Sequence, residues 1–400
     1  MKEMKPQRMS KRKSLLAAAP GFLQWLKETD FLKTRFAFLA RVLQNYVLDN
    51  VLVDDQTCHN IISNLKNANR PVPEADPDLF QKRNFVHAYA ILWYLARYYR
   101  TQIIALHLIR TGWFPVRDLE SDVLDLGSGP GQVLLALSDI CSFLKAYGEY
   151  AQLDRLANSS FSFSYIEYSD EFYAFQHDFG RYLFQCDPDR LEPQNRSCGY
   201  PQGYRVFGNF CGLNMQRELH NVRNDLIETY LDEDEDMDPL LAQHIVDDLD
   251  DSWKKSELHY NLIMSSNFIN VTGDIDRYAF AIRSSWGALR NGGLFCIVAR
   301  QNRQLDQICE RLLSLLERPS FMRPSLVLRD SDFSELLHDF DVETVMLQFF
   351  GTIFDRLGEY GDFPPDDERL MNVVKNMGRG NYIPFGLVML RKQLPHRRRS

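Results

Sequence analysis

Apolar and polar residues follow two different rhythms along this chain, and the change falls near residue 120. Residues 14–110 read as mostly helical. Within them, Val86 to Arg110 contains no Gly or Pro and is apolar on nearly all sides, the pattern of a helix buried between other elements. Arg70-Pro-Val-Pro-Glu-Ala-Asp-Pro77 breaks the chain ahead of it. From residue 122, short apolar runs alternate with helical stretches, which predicts a parallel sheet covered by helices. Val123 to Leu126 is the first strand. Phe161, Phe163 and Tyr165 alternate with Ser162 and Ser164 in a second that ends near Glu167. Further strands are expected over 204–207, 261–264, 294–299, 342–349 and 385–390. Ile275, Tyr278, Ile282, Trp286 and Leu289 mark a helix that Gly292 and Gly293 should end. Leu305, Ile308, Leu312 and Leu315 mark another.

Composition narrows the class. With 45% hydrophobic and 25% charged residues over 400 positions, the chain is globular and long enough for one large domain or two ordinary ones. No run of 18 uninterrupted apolar residues is present, so no membrane span is expected. The start is basic and polar, without a secretory pattern, so a cytoplasmic location is expected. Seven cysteines without a CxxC pair fit that setting. They argue against a disulfide framework or a zinc site, and no metal is expected. The net charge of −8 does not favour nucleic acid as a partner, although Lys2 to Lys13 and Arg397 to Arg399 form basic ends.

One stretch breaks the alternation. About residues 213–258 lie between the third and fourth strands and are rich in acid, including Asp232 to Asp236. A connection of this length predicts an insertion. It is not a calcium loop, because Met237 stands where such a loop needs glycine and Gln243 where it needs glutamate.

The informative run is Asp125-Leu-Gly127-Ser128-Gly129-Pro130-Gly131, between a strand and a helix. Glycines let a backbone turn sharply and meet a ligand closely, and the helix start offers free N–H groups. A dinucleotide site wants GxGxxG, but Gln132 occupies its third glycine position. The spacing DxGxGxG instead resembles the first motif of the class I S-adenosylmethionine-dependent methyltransferases. The aromatic and Arg-rich segment Tyr94 to Arg100, ahead of the turn, is loosely similar to the ribosome-associated, methyltransferase-like Rsm22 family.

The resemblance implies a Rossmann-like α/β fold: a seven-stranded methyltransferase sheet with helices on both faces and an antiparallel strand near the C-terminus. Here it would follow an N-terminal helical domain (1–110), with the methyltransferase domain over 111–400 carrying the acidic insertion. It implies S-adenosyl-L-methionine as cofactor, with Asp125 toward the ammonium group and Gly127, Ser128, Gly129 and Gly131 passing under the methionine part. Glu167 would take the ribose hydroxyls, Asn209 the adenine, and Ser265 would line the site after the fourth strand. Glu167 follows Gly131 by 36 residues, more than the usual interval, and an extra helix over 147–156 would account for it. Tyr165, Tyr168 and Phe268 are candidates to flank the sulfonium. His259 is a candidate base, and no catalytic residue is named. The implied activity is methyl transfer to a small-molecule, peptide or protein acceptor. The alternative is a non-catalytic assembly or RNA/ribosome-binding factor on the same fold.

Overall fold

Four helices come first: α1 (Lys11–Thr29), α2 (Phe31–Tyr46), α3 (Asp55–Ala68) and α4 (Arg83–Arg110). The alternating part follows as β1 (Glu120–Leu126), α5 (Gln132–Tyr150), α6 (Asp154–Ala157), β2 (Ser160–Glu167), α7 (Asp170–Cys186), β3 (Gln202–Arg205) and β4 (Tyr260–Ser266). It continues with α8 (Thr272–Arg277), α9 (Ala279–Gly287), β5 (Leu289–Arg300), α10 (Leu305–Leu315), β6 (Met322–Arg329), α11 (Ser334–Asp339), α12 (Glu343–Gly358) and β7 (Phe385–Lys392). The computed structural model describes residues 11–68, 77–114, 120–167, 169–186, 202–205, 260–266, 269–300, 304–316, 322–360 and 385–392. The acidic insertion, Asn209, His259, Tyr168 and Phe268 lie outside the described residues.

The strands form one mixed sheet in the order β3-β2-β1-β4-β5-β7-β6. The first five strands pair in parallel, while β7 runs antiparallel between β5 and β6. The order reverses between β1 and β4, and in open α/β sheets the crevice at such a reversal is where ligands bind, outside the carboxyl ends of the strands.

Strand residues alternate between two hydrophobic cores because successive side chains point to opposite faces. Val123, Leu262, Met264, Cys296 and Leu387 enter one core; Leu124, Ile263, Phe295, Ile297 and Val388 enter the other. The second core is closed by α8 to α10. The first is larger and includes residues of α1 to α5, α7, α11 and α12, so the N-terminal helices share a core with one face of the sheet. Phe85 through Ile109 of α4 are all buried, as the absence of a polar stripe predicts. A polar cluster locks these helices together. Asp139 of α5 accepts from Arg35 Nε of α2 at 3.0 Å and from Tyr98 Oη of α4, and Gln102 Nε2 donates to Tyr98 Oη at 2.9 Å. Among the described residues, no helix is long and apolar enough to cross a membrane.

Four expectations are corrected. Residues 342–349 are not a strand: Glu343–Gly358 is a helix that buries Met346, Phe349, Phe350, Ile353 and Leu357, a three-to-four residue repeat. The strand that pairs with the outer side of β7 is instead Met322–Arg329, which the apolar pattern did not single out. Gly292 and Gly293 do not end a helix. The preceding helix is split into α8 and α9 and ends at Gly287, where Lys392 Nζ donates to the carbonyls of Trp286 and Gly287. The two glycines lie inside β5, at a register shift where a Cβ on Gly293 would come within 3.0 Å of the Asn261 carbonyl. The segment over 147–156 is the end of α5, a turn and then the short α6, rather than one extra helix.

Candidate functional site

The chain passes from β1 into α5 through Gly127-Ser128-Gly129-Pro130-Gly131. The three glycines have φ of 69°, 57° and 86°, a region in which other residues are strained. The N–H groups of Gly127 and Ser128 both donate to the Ile166 carbonyl, at 3.0 and 3.3 Å, which ties the turn to the end of β2. A Cβ on Gly131 would meet Gln176 Oε1 at 2.8 Å, whereas a Cβ on Gly129 would meet nothing within 4 Å. Gly129 therefore borders open space, and Gly131 is fixed by packing.

Glu167 ends β2 and is 6% exposed. Its Oε2 accepts the Gly129 N–H at 2.6 Å and its Oε1 accepts the Ser169 N–H at 2.8 Å. Ser169 is itself held, since its Oγ accepts from the Phe172 N–H at 3.1 Å and donates to the Phe80 carbonyl. These bonds aim the carboxylate at the glycine turn.

Asp125 ends no hydrogen bond in this arrangement. It is fully buried near the end of β1, and neither carboxyl oxygen has a partner among the described residues. Burial, and then the negative charge of Glu167, push its pKa well above the usual carboxylate range. A buried acid without a donor is costly unless a ligand supplies one.

Ser265 is fully buried, and its Oγ also has no partner among the described residues. Met264 pairs with Asp125, so strand alternation places Ser265 on the face opposite Asp125, while Ser266 shares the Asp125 face. Tyr165 belongs to the first core, its ring 6.1 Å from that of Tyr173.

Gln176 of α7 escaped the sequence reading. Its Nε2 donates to Ser128 Oγ at 2.8 Å and to the Gly129 carbonyl at 2.6 Å, both on the glycine turn. The signal was present: Gln176 stands four residues after Phe172 and three before Phe179, on the buried side of its helix.

No protein-family model and no curated protein sequence matches the chain. Solved structures resemble it distantly. The [4+2]-cyclase SpnF is 12% identical, with 75% of this chain and 81% of that one covered and a TM-score of 0.33. A putative sarcosine dimethylglycine methyltransferase from Galdieria sulphuraria is 10% identical, with 80% and 90% covered and a TM-score of 0.30. A SAM-dependent methyltransferase from Geobacter sulfurreducens, in complex with S-adenosyl-L-homocysteine, is 14% identical, with 73% and 90% covered and a TM-score of 0.28. Scores this low decide nothing about activity; the strand order and the turn geometry have to carry the functional reading.

Proposed function

We propose that this chain binds S-adenosyl-L-methionine over the glycine turn and catalyses methyl transfer to a small-molecule, peptide or protein acceptor. The observation that supports it most is Asp125. An acid is buried without a partner two residues before a turn whose central glycine faces open space. An ammonium group is the ligand chemistry that would satisfy such an acid.

The other residues fit the same cofactor. The backbone of Gly127, Ser128, Gly129 and Gly131 leaves room for the methionine part. Each Glu167 oxygen accepts a backbone N–H, and a carboxylate, with about four lone-pair sites, is the group that can accept from both ribose hydroxyls. Asn209 and Ser265 complete the proposed set, toward the adenine and the floor of the site. When bound, the cofactor supplies an electrophilic methyl group on a sulfonium. The chain's own task is to orient that group toward the acceptor and to keep water away, which accounts for much of the rate in such displacements. In this reading the helical region 1–110 is a cap on a methyltransferase domain spanning 111–400.

Calorimetry with S-adenosylhomocysteine and with NAD tests the assignment. Binding of the first and much weaker binding of NAD is expected, and tighter binding of NAD would overturn it. Incubation with radiolabelled cofactor and a cell extract then shows whether label enters small molecules, peptides or protein.

A further inference from the structure

Helix α4 carries a buried cation that no acid among the described residues answers. Arg97 is 8% exposed. Its guanidinium stacks over the Tyr89 ring at 4.7 Å and the Trp93 ring at 5.6 Å, and it donates to Tyr89 Oη. Tyr89 and Trp93 stand eight and four residues earlier, on the same side of the helix. Among the described residues these are its only side-chain partners, and no carboxylate lies within ion-pair distance. A guanidinium has five N–H donors, and one acceptor leaves most of them unspent. Aromatic faces offset only part of the cost of burying the charge.

Two contacts place this group at the ligand end of the sheet. Three residues on from Arg97, the Arg100 guanidinium lies 4.9 Å from the ring of Phe385. Phe385 begins β7 and pairs with Arg300, the last residue of β5, at the carboxyl edge of the parallel strands. On the other side, the Tyr89 ring is 5.4 Å from Phe172, whose N–H is bound to Ser169, the residue that donates to Glu167. Arg97 thus lies between the edge of β7 and the carboxylate beside the glycine turn. Its surroundings are planar rings, which hold a guanidinium flat for two-point recognition.

We propose that Arg97, backed by Tyr89 and Trp93, binds the anionic group, a carboxylate or phosphate, of a ligand held over the carboxyl ends of the strands. Two sources share this chemistry: the amino-acid end of the cofactor and an acidic acceptor. The location rests on the cofactor reading above; the unpaired cation does not.

The test titrates the full chain, Arg97→Met and Arg97→Lys with three probes: S-adenosylhomocysteine, methylthioadenosine, which lacks the amino-acid end, and inorganic phosphate. Melting curves establish that each variant is folded. A loss of about tenfold for S-adenosylhomocysteine in Arg97→Met, with methylthioadenosine unchanged, assigns the anion to the cofactor. A comparable loss for phosphate, with S-adenosylhomocysteine unchanged, assigns it to the acceptor. Unchanged binding of both anionic probes overturns the proposal, as does an equal loss across all three probes, which marks a purely structural role. Should Arg97→Met fail to fold, Arg97→Lys keeps the charge, loses the planar fork, and is judged by the same comparison. If the unaltered chain binds neither nucleoside, the cofactor reading fails while the phosphate comparison still decides the role of Arg97.

Discussion

The backbone N–H of Gly129 donates to Oε2 of Glu167 across 2.6 Å, joining the glycine turn to the end of a strand 38 residues away. The same carboxylate holds the Ser169 N–H at the start of α7. Glu167 therefore shapes the turn as well as facing it. Replacing Glu167 with Ala should weaken S-adenosylhomocysteine by roughly 1.5–3 kcal/mol, the scale of hydrogen bonds to a charged group. It should also lower the melting temperature, since two N–H groups lose their acceptor. An unchanged dissociation constant in a folded variant would remove Glu167 from the site.

The two glycines that flank Pro130 should respond differently to substitution. Gly129→Val should abolish cofactor binding in a protein that still folds, because a side chain there enters open space. Its backbone strain at φ 57° costs about 1–3 kcal/mol. Gly131→Ala should be harder on the fold, because its Cβ collides with Gln176 in addition to the strain. Paired melting curves and titrations check this. Equal stability of the two variants, or full affinity in Gly129→Val, would contradict it.

The turn was legible in the sequence because its geometry demands glycine at three positions, and only a strand and a helix on either side give that spacing meaning. The buried α4 was legible for a similar reason, since a helix without a polar face has no side to show to water. Residues 342–349 misled because Val342, Thr344 and Val345 favour strands locally, while the repeat that makes them helical becomes visible only on reaching Ile353 and Leu357. Gly292-Gly293 suits a helix end or a bulge equally well, and the close approach of the Asn261 backbone decides it. Gln176 and Arg97 depend on what surrounds them in space. The partners of Gln176 lie 47 and 48 residues away, and that no carboxylate among the described residues sits beside Arg97 is not written in the chain itself.

Asp139 offers a control away from the ligand. It is buried, bridges Arg35 and Tyr98, and ties α2 and α4 to α5. Asp139→Ala should cost about 3 kcal/mol of stability, because a cation and a phenol lose the buried acceptor they share. The Arg35 guanidinium retains its stacking on Phe38 at 5.2 Å, which keeps the cost toward the low end. Denaturant unfolding measures it. Affinity for S-adenosylhomocysteine should persist in the folded protein, and a selective loss of affinity would show that the cluster reaches the site.

Asp125 makes a prediction about pH. Its carboxyl is fully buried and its pKa is raised, chiefly by desolvation and then by Glu167. A raised carboxyl pKa means that the empty fold is favoured with the proton on. The contribution of Asp125 is most favourable at low pH, and it is lost as pH climbs from the ordinary carboxylate value toward the raised one. Asp125→Asn should therefore stabilise the empty protein near neutral pH. A ligand ammonium reverses the preference, since it pairs with the ionised form. Cofactor binding should then release a proton, and affinity should rise with pH until the Asp125 of the empty protein has itself ionised. Calorimetry in two buffers of different ionisation enthalpy reads the proton directly. Asp125→Asn should bind more weakly and show neither the proton nor the pH slope. A wild-type chain that binds S-adenosylhomocysteine without releasing a proton, at a pH where the empty protein keeps Asp125 neutral, would mean that the ammonium is held elsewhere.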